Sequence, residues 1–199
     1  GSCFKKDILN LVYLSKHFGL PEVANFWESV VEMNNWHQNR ISKLIVQKLF
    51  GTISGKKILI LGFAFKANTN DTRESAAIQI CKDLLEEGAH LVIHDPIVNS
   101  NQIAIDLESN SIVNENKKVI YKSDNYEGNW SYTDDINSAF VNTHAIVILT
   151  EWEDYTNIEW GNCSKLMKKP AWIFDSRLII KPSEVLAADL NLWQIGYGT

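Results

Sequence analysis

Four apolar runs constrain this chain more than any other feature: "KKILILGFAF" at 56–65, "HLVIHDP" at 90–96, "AIVILT" at 145–150 and "AWIFD" at 171–175. Their apolar stretches are unbroken rather than alternating, as strands buried on both faces require. Between the first two lies "TRESAAIQICKDLLEEG" at 72–88, helical in period. Asp71 or Thr72 is its expected N-cap, and Gly88 stands just past its end. Such alternation predicts an α/β fold: a Rossmann-like, doubly wound parallel sheet with helices on both faces. Ligands on such sheets sit at the carboxyl ends of the strands. The stretch 97–132 is weaker. It predicts one helix, a strand near "KVIYK" and a polar loop "SDNYEGNWSYTDD". A short helix at 134–141, a helix through about 168 and a final strand near "LNLWQIG" complete the pattern.

Residues 1–51 have a different texture. Ile8, Leu9, Val12 and Tyr13 recur at helical spacing until "FGLP" at 18–21 breaks the run. A second helix then begins with Pro21 at its start, where proline is tolerated, and keeps its period to Leu49 before Gly51 stops it. A helix that long with a broad apolar stripe joins domains or forms a subunit interface. The predicted organisation is therefore a helical segment at 1–51 and an α/β domain at 55–199.

Composition excludes several classes. A hydrophobic content of 45% with seven Trp, eight Phe and six Tyr supports a large core and argues against disorder. The longest apolar run, at 58–65, is too short to span a bilayer. A net charge of −5 argues against nucleic-acid binding. Three scattered cysteines, at 3, 81 and 163, fit a reducing cytoplasmic setting with no disulfide framework and no metal-ligand spacing.

The first strand and helix imitate a dinucleotide-binding unit, yet after Gly62 comes "FAFKANTND", without the glycine fingerprint. The loop offers instead two cations, Lys66 and Arg73, flanking the helix start. Both an anion site and an ordinary polar loop fit that spacing. Arg177 in "IFDSRLII" lies just past another strand at the same edge, as a ligand-facing or an ion-paired residue. At the other end of the chain, in "GSCFKKDILNLVYL", Cys3 and Asp7 fall one helical turn apart on one face. The helix start and Lys5 and Lys6 favour a reactive thiolate, and Asp7 could order or deprotonate a water beside it. A chance terminal cysteine fits the same residues.

"GSCFKKDILNLVYL", "GFAFKANTNDTRES" and "IFDSR", in this order, resemble the UDP-glucose/GDP-mannose dehydrogenase family over nearly the whole chain. The "SCF-x-KD" pattern is more similar to the branch acting on UDP-glucose than to those acting on GDP-mannose or UDP-N-acetylmannosamine. The resemblance implies oxidation of the sugar C6 alcohol to a carboxylate by two NAD⁺, giving UDP-glucuronate. Cys3 is the implied nucleophile, forming a thiohemiacetal and then a thioester. Asp7 assists the water chemistry, and Phe4, Lys5 and Lys6 lie beside the nicotinamide. Phe65, Lys66 and Arg177 bind the UDP-sugar, and Arg73 reaches the NAD phosphates. The long helix resembles the family's central helix, which bridges two domains and forms a homodimer. The family's amino-terminal NAD-binding domain does not occur in the 199 residues. The sequence therefore reads as the central-helix and carboxyl-terminal portion of the enzyme, expected to be inactive alone. Its alternatives are a nucleotide-sugar-binding or dimerisation fragment, and a dehydrogenase for another UDP-hexose.

Overall fold

The computed structural model describes residues 2–197, so Gly1 of the opening motif lies outside them. Two helices, α1 (Ser2–His17) and α2 (Pro21–Lys48), precede an α/β unit. Its strands are β1 (Lys57–Leu61), β2 (His90–His94), β3 (Asn110–Val113), β4 (Val119–Lys122), β5 (Asn129–Tyr132), β6 (Ala145–Ile148), β7 (Trp172–Asp175) and β8 (Asn191–Gln194). Its helices are α3 (Ala76–Glu86), α4 (Ser100–Asp106), α5 (Ile136–Ala139), α6 (Trp160–Leu166) and α7 (Pro182–Ala187), with a 3₁₀ turn at Glu153–Asn157.

All eight strands form one sheet in the order β3-β4-β5-β2-β1-β6-β7-β8. The six from β5 to β8 are parallel, which confirms the doubly wound layout, and β3 and β4 extend it antiparallel. The apolar runs behave as their lack of alternation requires. Ile58 through Leu61 and Ala145 through Ile148 are fully buried, and each large aliphatic side chain so buried contributes about 1.5–3 kcal/mol. From β1 the chain moves outward to β2, then returns to place β6 on the other side of β1. The switch point, and with it the crevice where such folds take ligands, lies between the carboxyl ends of β1 and β6.

Three expectations are corrected. Ser75, not Asp71 or Thr72, caps α3, its side chain accepting from the Ala77 N–H; Asp71 is committed elsewhere. The expected polar loop contains β5, whose Trp130 is buried and stacks on Tyr121 at 4.0 Å between centroids. Its polar neighbours Asn129 and Ser131 masked the strand. Finally, the helix expected through 168 is a 3₁₀ turn followed by the short α6.

Proline stands in the first turn of α2, and Phe50 and Gly51 leave the helix with φ of 67° and 77°. Ile41 and Ile45 on its last turns, and Leu49 just past its end, join the core of the sheet, and a Ser42–Asp83 hydrogen bond ties it to α3. Its earlier turns pack on α1, leaving Phe26, Met33 and Trp36 exposed. Among the described residues no helix is long and apolar enough to cross a membrane.

Candidate nucleotide-sugar site at the switch point

At the end of β1, Gly62 adopts φ 92°, and a Cβ there would overlap Thr150 beyond β6, so only glycine lets the two strand ends close. Thr150 in turn donates through Oγ1 to the Ala64 carbonyl at 2.6 Å. The amides that follow do not face an open cradle. Phe63 and Ala64 both donate to Oδ2 of Asp95, at 2.7 and 3.0 Å, and the Trp152 indole N–H joins them at 3.2 Å. Oδ1 of the same carboxyl accepts from Ile97 and Val98. Asp95, at the carboxyl end of β2, is 1% exposed. Five N–H donors thus compensate its burial, each such bond to a charged group contributing about 1.5–3 kcal/mol.

The next residues follow directly from this fixed turn. Lys66 is exposed with its amine 5.4 Å from the centre of the Phe65 ring. Arg177, beyond β7, folds across the switch point. Its Nε donates to the Leu149 carbonyl at 2.7 Å and its Nη2 to the Phe65 carbonyl at 3.2 Å. Glu151 lies 3.4 Å from that Nε and accepts from the Ala67 N–H. Because the Nε hydrogen is spent on Leu149, this contact is coulombic, and Glu151 Oε2 has no hydrogen bond among the described residues. The turn carrying Arg177 is itself anchored: buried Asp175 accepts from the Arg177 and Ile180 amides and from Gln194. Arg177 thus reaches the backbone of the segment that carries Phe65 and Lys66, although the two motifs lie far apart in sequence.

Arg73 lies further along the same loop. It chelates Asp71 through Nε and Nη2 at 2.9 and 2.7 Å, and its guanidinium remains exposed. The Arg73 hydrogen bonds hold the Asp71 carboxyl down at about 2. The same hydrogen bonds to Asp71 hold the Arg73 guanidinium above its ordinary range. Cys3 is exposed on the first turn of α1, and Asp7 stands exposed one turn on. A Lys5–Glu74 ion pair at 3.0 Å ties that turn to the loop. Beside it, α1, α2 and α3 enclose a polar cleft of about 460 Å³ lined by Asn35, Gln38 and Gln79 among others. Phe4 and Lys6 are exposed on α1, and neither they nor Asp7 make a hydrogen bond or ion pair to the loop among the described residues.

Asp95, Glu151 and Trp152 were not singled out as site residues from sequence. Asp95 and Glu151 did carry a signal, a carboxylate just past an apolar strand, but which donors it meets depends on strand order.

Fold and site together define a Rossmann-like α/β domain whose switch point bears cations in place of a glycine cradle, with a thiol-bearing helix latched beside it. Residues 59–182 match the family model for the UDP-glucose/GDP-mannose dehydrogenase family, UDP binding domain, and the chain belongs to that family. It is 44% identical over 200 residues to UDP-glucose 6-dehydrogenase of Drosophila melanogaster, covering 98% of this chain and 40% of that protein. It is likewise 44% identical over 183 residues to the Bos taurus protein of the same name, covering 90% of this chain and 35% of that one. The chain thus spans well under half the length of these curated relatives. Among solved structures, a UDP-glucose dehydrogenase from Pyrobaculum islandicum shares the fold, with TM-score 0.70, 23% identity, and coverage of 98% of this chain and 37% of that one.

Proposed function

We propose that these residues form the nucleotide-sugar-binding domain and thiol-bearing helix of an NAD-dependent UDP-sugar 6-dehydrogenase, with UDP-glucose as substrate and UDP-glucuronate as product. The observation that carries this reading is the Arg177 hydrogen bond to the Phe65 carbonyl, which joins the Arg177 turn to the segment bearing Lys66, with the Cys3 turn tied by Lys5 and Glu74 to the same loop. Lys66 and the guanidinium face of Arg177 suit the diphosphate, and the Phe65 ring offers an apolar surface beside it.

Cys3 adds to the C6 aldehyde as a thiohemiacetal and carries the carbon onward as a thioester, so the aldehyde stays bound between the two oxidations. Asp7, one turn on, orders or deprotonates the water whose oxygen enters the carboxylate while the thiolate leaves. NAD⁺, when bound, supplies the hydride acceptor. The residues fit only the edge of that dinucleotide. Arg73 would meet its phosphates, and Phe4, Lys5 and Lys6 the nicotinamide end. The sheet's own turn offers no cradle, because the Phe63 and Ala64 amides are spent on Asp95. The remainder of the cofactor site, and a second copy of the chain against the exposed face of α2, are proposed partners.

Titration calorimetry with UDP-glucose, UDP-N-acetylglucosamine and GDP-mannose tests the substrate class: binding of UDP-sugars in preference to GDP-mannose is expected, and no UDP-sugar binding would remove the site. An NADH absorbance assay separates catalysis from binding. The occupied turn amides also favour a second reading, in which these residues alone bind the nucleotide sugar without oxidising it.

A further inference from the structure

We infer that Asp95 is the resident anion of the β1–α3 turn, a positioning residue that holds Phe65 and Lys66 toward the UDP-sugar. The inference rests on the functional reading above and deepens it. In dinucleotide-binding α/β folds the amides that follow the first strand hold pyrophosphate, and an acidic residue at the end of the second strand holds the ribose. Here the acidic residue turns inward instead. Its Oδ2 takes the Phe63 and Ala64 N–H groups and the Trp152 indole N–H, while Oδ1 takes the Ile97 and Val98 amides.

The carboxyl is buried, so the arrangement is a built site and not a surface contact. It joins three segments that meet at the switch point: the turn after β1, the turn after β2, and Trp152 beyond β6. The two residues after Ala64 are Phe65 and Lys66, so their backbone leaves from a point fixed by this carboxyl. Arg177 completes the frame from the other side by donating to the Phe65 carbonyl. Occupation of the turn by a side-chain anion also excludes any phosphate from those two amides, so an incoming diphosphate must be met by the cations Lys66 and Arg177 instead.

The test is chemical rescue in the 199-residue chain, with UDP affinity measured by calorimetry and amide exchange at Phe63 and Ala64 by NMR. Asp95→Ala should weaken UDP binding about tenfold or more, a loss typical of a misplaced binding group. It should also speed exchange at both amides. Sodium formate, whose carboxylate can take the same donors, should restore both quantities, and sodium chloride at equal ionic strength should restore neither. Unchanged UDP affinity in a folded Asp95→Ala chain would overturn the inference, as would a loss that formate leaves uncorrected. If Asp95→Ala does not fold, Trp152→Phe, which removes one donor only, is measured the same way. A fall of a few-fold in affinity with faster exchange at Phe63 and Ala64 supports the role, and no change overturns it. Should the unaltered chain bind no UDP, the functional reading fails by itself. The exchange data and their response to formate then decide whether Asp95 holds the turn.

Discussion

Lys5 and Glu74, 69 residues apart in sequence, form an ion pair at 3.0 Å that ties the turn bearing Cys3 to the loop bearing Arg73. Both side chains are more than a third exposed, so solvent screens the pair and its coupling energy should be below about 1 kcal/mol. Its role is orientation. Lys5→Ala and Glu74→Gln should each leave thermal unfolding nearly unchanged, and a double-mutant cycle should return that small coupling. A coupling of several kcal/mol would assign the pair to stability instead.

Lys66 and Arg177 should separate binding from folding. Lys66 is exposed, so Lys66→Ala should weaken UDP-sugar binding about 10- to 150-fold through loss of a charge-assisted bond, with unfolding unaltered. Arg177 also bridges the Leu149 and Phe65 carbonyls, and Arg177→Ala should lower both affinity and stability. Arg177→Lys should not recover the loss, because an ammonium cannot reproduce a planar fork that donates to two carbonyls. Calorimetry and thermal unfolding, run on the same samples, check all three.

The three thiols should differ sharply in reactivity. Cys3 is exposed, whereas Cys81 and Cys163 are buried. Burial raises both buried thiols, that of Cys163 to about 12. Iodoacetamide on the folded chain should modify Cys3 alone, and all three cysteines after denaturation, as read by peptide mass spectrometry. In the assembled dehydrogenase, Cys3→Ser should nearly abolish oxidation to the acid while substrate binding is kept. Full conversion by that variant would remove covalent catalysis at this residue.

The Asp71–Arg73 chelate gives a pH signature. Its hydrogen bonds hold the Asp71 carboxyl at about 2, below the ordinary 3.8. A depressed carboxyl stabilises the fold above its ordinary value, and that contribution is lost as pH falls through about 2. Carbon-13 NMR should therefore show Asp71 titrating near 2, and Arg73→Ala should return it toward the ordinary range. Titration near about 4 in the unaltered chain would mean that the chelate does not persist in solution.

The last turns of α2 belong to the sheet's core, and its earlier turns do not. Ile45→Ala should cost about 2–5 kcal/mol in urea unfolding, because Ile45 is fully buried. Phe26→Ala, at a side chain 62% exposed, should stay within about 0.5 kcal/mol. Equal costs at the two positions would mean that α2 folds as a uniform element.

The sequence by itself determined the parallel sheet, because strands buried on both faces must be unbroken apolar runs, as Ile58 to Leu61 and Ala145 to Ile148 are. It determined the break at Gly19 and Pro21 and the stop at Gly51, where backbone chemistry is local. It also singled out Cys3, Lys66 and Arg177, whose residue types stand where the pattern exposes them. The β5 strand was hidden because its pairing with β2 is long-range and its neighbours Asn129 and Ser131 are polar. The cap of α3 was misplaced because Asp71 has two partners to choose between, and the Arg73 chelate, not the helix amides, takes it. Only the tertiary structure decided that Asp95 takes the amides of Phe63 and Ala64, and that Arg177 reaches the Phe65 carbonyl 112 residues away. The Asp95 contacts join the ends of neighbouring strands β2 and β1, the Arg177 contact reaches past the end of β6 from β7 to the turn after β1, and no local spacing encodes that strand order.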